Sequence, residues 1–171
     1  PETVHGVTNA YIDPEATYVV ADVDGETWFL SEYGAAKLEY QARNVEIHDT
    51  VEGSELVGQT VENPVTGDDV LVLPAGFVDS DNATGVVMSV PAHSPDDYVA
   101  LQEAKADTDY LESFGIDPAD VADIEPIPIL DVDSEGDEYG EIPAKSAVEN
   151  HGIESSDDPA LEKATKDLYN K

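Results

Sequence analysis

The sequence contains no cysteine and only one arginine, Arg43. Without cysteine there is neither a disulfide framework nor a thiol nucleophile. Lysine and arginine together number 7 against 39 acidic residues, a formal net charge of −32. That balance excludes a phosphate-gripping surface of the usual kind, because such contacts come from Lys and Arg. No Gly-rich phosphate loop, dinucleotide fingerprint or G-x-S-x-G elbow occurs. Neither a signal peptide nor an apolar run of membrane length is present, which predicts a soluble cytoplasmic protein with no membrane partner.

Such acidity is common in disordered chains, but those are poor in apolar and β-branched residues. Here 40% of the residues are hydrophobic, and the acids fall between intact apolar runs. The reading is a folded domain with an acid-coated surface, suited to a very salty interior, with an acidic interaction module as the alternative. At about 1 M salt the Debye length is ~3 Å, so surface carboxylates repel one another little. The chain opens on Pro1, holds one methionine, Met88, and ends on Asn170-Lys171 within a helical pattern. It reads as a single domain, residues 1–171, taken from a longer polypeptide.

Residues 1–14 read as an extended piece closed by a turn at Asp13-Pro14. Two β-rich runs, 17–21 and 26–30, flank Asp24-Gly25, a hairpin signal. Ser31 is placed to cap a helix running to about Gln41, with Ala35, Leu38 and Ala42 on one face. Residues 45–73 predict several short strands, with 69–73 pairing to the segment before Thr66. The run Gly85 to Val90 is a strand stopped by Pro91, and a helix from Ser94 to about Asp107 follows. Short helical turns are predicted to Phe114-Gly115 and from Asp117-Pro118, then an extended apolar run, 124–130. Beyond an acidic loop, 131–141, come two helices, 143–150 and 159–171, the second capped by Ser156 or Asp157. The class is α+β, a strand-rich barrel or sheet with peripheral helices.

The strand-to-helix junction is the place where residue chemistry collects. Ser94-x-x-Asp97 matches a capping box, and the same carboxylate could hold a ligand. His93 could be a general base or simply a hydrogen-bonding group at a turn. His5, His48, His93 and His151 lack metal-ligand spacing. Asp131 to Asp137 imitates the start of a calcium loop, but position 12 is Ile142 where a bidentate glutamate is needed. Asn82-Ala83-Thr84 fits a glycosylation sequon, which has meaning only on secretion. Residue chemistry alone therefore stops at a folded domain with one polar strand-to-helix site.

Three blocks, Pro1 to Asn9 (PETVHGVTN), Ala83 to His93 (ATGVVMSVPAH) and then Asp97, resemble the editing domain of leucyl-tRNA synthetases of the archaeal and eukaryotic branch. Ile142 to Lys145 and the tail DPALEKATKDLYN add to the likeness, which runs over nearly the whole chain. With the acidity, the resemblance points to a halophilic archaeon. It implies a barrel-like editing domain inserted in a larger synthetase. Its function would be to hydrolyse the ester of leucine transfer RNA that carries a wrong amino acid, such as isoleucine or valine. Asp97 would bind the α-ammonium of the esterified amino acid, and Thr3 would crowd the γ-branched side chain of leucine. Met88 and Val90 would line the pocket near the terminal adenosine, with His93 beside the substrate. The resemblance implies no cofactor, metal or covalent nucleophile. Its partners would be the mischarged 3′ end and the remainder of the synthetase. The chain starts after the family's threonine-rich stretch, and the loop 131–141 is longer and more acidic than its counterpart. An inert module that only binds the aminoacylated 3′ end, or an acidic structural domain, are the alternatives to a hydrolase.

Overall fold

The computed structural model describes residues 2–130 and 139–170. The chain forms two compact units, one of segments 1–9, 62–70 and 89–171, the other of 10–61 and 71–88. In chain order the elements are a 3-10 turn (Glu2–Gly6), β1 (Asn9–Ile12), β2 (Thr17–Val23), β3 (Glu26–Ser31) and α1 (Glu32–Tyr40). Next are β4 (Val45–Glu52), α2 (Gly53–Leu56), β5 (Thr60–Glu62), β6 (Asp69–Pro74) and β7 (Val86–Ser89). Five helices follow among the described residues: α3 (Pro95–Ala106), α4 (Thr108–Ser113), α5 (Pro118–Ala122), α6 (Pro143–His151) and α7 (Leu161–Tyr169).

In the second unit, β2 and β3 form the hairpin that Asp24-Gly25 encodes. Both residues take positive φ, 54° and 95°, as a two-residue turn matched to strand twist requires. Asp22 Oδ1 accepts the Gly25 N–H at 2.8 Å and steadies the turn. β4 pairs antiparallel to the other edge of β2, with a register shift between Val20 and Ala21. Val19, Ala21, Val23, Leu30 and Ala35 form the core between this sheet and α1. Ser31 caps α1 by accepting the Gly34 N–H at 3.0 Å. Ala42 lies outside that helix at φ 59°, so it does not extend the apolar face.

The other sheet, which falls largely in the same unit, has the order β5-β6-β1-β7. Tyr18, fully buried, donates to the Gly85 carbonyl at 2.7 Å and accepts the Asp13 N–H at 3.1 Å. Gly85 has φ 70°, and a Cβ there would lie 2.9 Å from the Ser31 Cβ. Only glycine fits that bend.

The first unit is helical. Val99, Ala147, Val148, Leu161, Ala164 and Leu168 are buried together with Tyr139 and Ile153, joining α3, α6 and α7. α6 stops at Gly152 in the left-handed conformation, φ 66°, the usual helix C-cap solution.

The α+β class holds, as sheets rather than a barrel: among the described residues there are sheets of four and three strands and no closed barrel. Two expectations are corrected. The start of the chain is a 3-10 turn before β1 where an extended piece was expected, because Gly6 packs tightly against Val90 and Ile127. Neither Ser156 nor Asp157 caps the last helix. Its N-cap is Ala160, with no side-chain bond, and Asp158 Oδ1 takes the Ala160 N–H at 2.8 Å. The calcium-like stretch and most of the acidic loop lie outside the described residues. Among the described residues no helix is long and apolar enough to cross a membrane, and no group of three or more His, Asp or Glu could hold a metal.

Candidate functional site

β7 ends at Ser89, whose carbonyl accepts the Thr8 N–H at 3.0 Å. Pro91 cannot continue a ladder, and the chain turns within four residues into α3. The Val90 carbonyl accepts the N–H groups of both His93 and Ser94, at 3.1 and 3.0 Å. Ser94 is the N-cap, with Pro95 in the first turn, and its Oγ accepts the Asp97 N–H at 3.2 Å.

In a full capping box the third-position acid would return to the cap residue's own N–H. Asp97 instead reaches past it, and its Oδ2 accepts the Val90 N–H at 2.8 Å. Both backbone polar groups of Val90 are thus engaged by the helix start. Burial pushes the Asp97 carboxyl above its ordinary 3.8, while the Val90 N–H and Ser94 pull it down and the Asp96 charge raises it again. A carboxylate fixed by hydrogen bonds yet short of counter-charge is suited to an ammonium, which pairs by charge-assisted hydrogen bonds.

His93 is buried. Its Nε2 accepts the N–H of Ile129 at 2.9 Å and that of Leu130 at 3.3 Å. An imidazole accepts at Nε2 only when that nitrogen carries no proton. Burial also pushes the pKa of His93 below its ordinary 6.5. The ring therefore works as a neutral clip on the extended segment ending at Leu130.

That segment meets the turn carrying Thr3. A Cβ on Gly6 would lie 3.1 Å from Val90 Cγ1 and 3.3 Å from the Ile127 carbonyl oxygen. Buried Asn63 donates to the Val4 carbonyl at 2.8 Å. The turn is thereby tied at Val4, Gly6 and Thr8, and Thr3 itself is exposed. The first unit so gathers Thr3's turn, Val90, His93 and Asp97 around one strand-to-helix junction. Met88, of the second unit, lies on β7 and is 61% exposed. Sequence reasoning missed Asn63 and the contact of His93 with the 127–130 segment. Asn63-Pro64 gave a turn signal, but nothing local marked the other.

Residues 1–111 match the family described as leucyl-tRNA synthetase, editing domain. The chain belongs to this family. The editing domain is 49% identical over 174 residues to the leucine–tRNA ligase of Pyrococcus furiosus, covering 99% of this chain and 18% of that protein. The enzyme of Methanopyrus kandleri is 49% identical over 169 residues with the same coverage. The editing domain therefore spans under a fifth of the length of these archaeal relatives. Among solved structures, GlLeuRS-CP1 matches with TM-score 0.86 and 26% identity over 99% of this chain and 65% of that one. The editing domain of the Plasmodium falciparum cytosolic leucyl-tRNA synthetase matches in fold, with TM-score 0.83 and 21% identity over 100% of this chain and 64% of that one.

Proposed function

We propose that this domain, as part of a leucine–tRNA ligase, hydrolyses the ester of leucine transfer RNA carrying isoleucine, valine or a similar wrong amino acid. The observation that carries the reading is the Asp97 carboxylate, held by the Val90 N–H at 2.8 Å and by the start of α3. A pocket distinguishes side chains one methylene apart by only about 1–3 kcal/mol, so translation needs a second, hydrolytic sieve. The α-ammonium of the misplaced amino acid pairs with Asp97, which fixes the ester carbonyl for attack. Thr3, exposed on its anchored turn, crowds the branched γ-carbon of leucine. Val90 lines the place of the terminal adenosine, and His93 shapes the wall by clipping the 127–130 segment. Water adds to the carbonyl, the ester C–O bond breaks, and the amino acid leaves while the ribose hydroxyl regains its proton. Backbone N–H groups and the adenosine's neighbouring hydroxyl stabilise the oxyanion.

The net charge of −32 supports two further parts of the reading: a halophilic archaeal cytoplasm, and a synthetase body that supplies the grip on the RNA. The test is deacylation of isoleucyl-tRNA(Leu) in molar salt by this chain and its Asp97→Ala variant. Loss in the variant alone supports the hydrolase. Silence of both, with the preceding threonine-rich segment restored, leaves a module that only binds the aminoacylated 3′ end.

A further inference from the structure

The four-stranded sheet carries a cavity that the editing site does not use. Val61 of β5, Val72 of β6, Ala10 and Ile12 of β1 and Val86 of β7 all line it. Every strand of that sheet therefore gives it an apolar side chain, and Ala10 and Ile12, two apart, project from one face. Phe29 of β3 and Leu56 of α2 complete the apolar lining. The cavity holds about 500 Å³. A cavity of roughly 150 Å³ already takes a benzene, and small-molecule sites run from about 300 to 1,000 Å³. Ala10, Ile12 and Val72 are buried, whereas Val61 and Phe29 are 45% and 52% exposed. The floor is enclosed and apolar, and the mouth is open. All the lining residues lie in the unit of segments 10–61 and 71–88, and none belongs to the Asp97 site.

Polar groups enter the lining from one stretch of chain, as Glu55, Gln59 and Thr60. Glu55 is the only charged residue of the lining, and no lysine or arginine is there to answer it. It is exposed, and its carboxylate has no protein partner among the described residues. We propose that this cavity binds a small organic cation, a compact apolar body bearing one ammonium, with the body on the sheet face and the head at Glu55. A concave apolar site with a few convergent polar groups is the usual form of a small-molecule site. The charge selects the head. An ammonium gains an ion pair with Glu55 and is drawn to a domain of net charge −32, while an anionic head is repelled by both. The proposal stands apart from the editing reading, since it uses no residue of that site.

The test uses three probes that share one rigid body and differ in the head: 1-adamantylamine, 1-adamantanol and adamantane-1-carboxylate. Each is titrated into the folded chain in molar salt while methyl NMR shifts are followed. We expect the amine to move the methyls of Ile12, Val61, Val72 and Val86 saturably and to leave those of Val148 and Leu168, in the core of the other unit, in place. The amine should bind about fivefold tighter than the alcohol, the ratio that one exposed ion pair gives, and the carboxylate should bind weakest. Glu55→Gln should bring amine and alcohol level. Val61→Trp, at an exposed position on the rim, should keep the far-UV spectrum and weaken all three probes. Absent shifts, shifts spread evenly over both units, or a carboxylate that binds as tightly as the amine would each overturn the proposal. So would an amine preference that survives Glu55→Gln, or a folded Val61→Trp that binds as the parent does.

Discussion

His93 Nε2 lies 2.9 Å from the amide nitrogen of Ile129, and that one contact fixes the protonation state of the ring. The nitrogen must stay bare to accept, and burial lowers the pKa below the ordinary 6.5. Below pH 6.5 the unfolded chain takes up a proton that the folded chain refuses. Stability from this group is therefore complete above 6.5 and falls as pH drops toward the lower folded value. We expect urea midpoints of the parent to fall between pH 7 and 5 by more than those of His93→Gln, whose amide oxygen accepts at any pH. At pH 7, His93→Ala should cost about 1 kcal/mol, the worth of one ordinary hydrogen bond. Parallel pH profiles for parent and His93→Gln would refute the clip.

Asp97 has the opposite sign. Its folded pKa is raised, so the ionised carboxylate opposes folding as pH rises above the ordinary 3.8. Asp97→Asn keeps an acceptor for the Val90 N–H and removes the charge. Its stability at pH 7 should equal or exceed that of the parent, and the difference should shrink as pH falls below 3.8, where the carboxyl takes up its proton in the unfolded chain too. Deacylation should fall about 10- to 100-fold, matching one charge-assisted hydrogen bond of about 1.5–3 kcal/mol. A variant destabilised at neutral pH would show that Asp97 serves mainly the fold.

Thr3 is exposed on a turn anchored elsewhere. Thr3→Ala should therefore shift stability by no more than about 0.5 kcal/mol. It should open the domain to the correct product, raising deacylation of leucyl-tRNA(Leu) about 10- to 100-fold while that of the isoleucyl form changes little. Unchanged sparing of the leucyl form would remove Thr3 from the sieve.

The acid surface makes folding depend on screening. The Debye length shrinks from about 10 Å at 0.1 M salt to ~3 Å at 1 M. We expect the far-UV melting midpoint to rise by at least about 2–4 °C over that range, the shift that 1 kcal/mol gives a domain of this size. An identical melt at both concentrations would refute it.

What was legible in the sequence was what neighbours in the chain determine. Asp24-Gly25 announced its hairpin, Ser31 and Ser94 announced their helices, and Pro91 announced the strand end, because turns and caps are local devices. Asp97 was legible as a residue but ambiguous in role. Its spacing fits a cap, whereas its carboxylate bonds Val90, seven positions back. The pairs His93 with Ile129 and Asn63 with Val4 span 36 and 59 positions. No periodicity records such meetings, since they follow from how distant segments pack. The 3-10 turn was hidden for the same reason: its Gly6 answers to Val90 and Ile127.

Most cations of the domain are already engaged. Arg43 pairs with Asp24, Lys105 with Glu125, Lys145 with Glu149 and Lys166 with Glu162, while Lys37 sits over the Tyr33 ring. That accounts for five of seven basic side chains. A polyanion diffusing toward this surface meets repulsion at every approach and little to settle on. If the domain edits transfer RNA as proposed, its own surface offers few free cations to the phosphates, and the acceptor end has to be delivered by the rest of the synthetase.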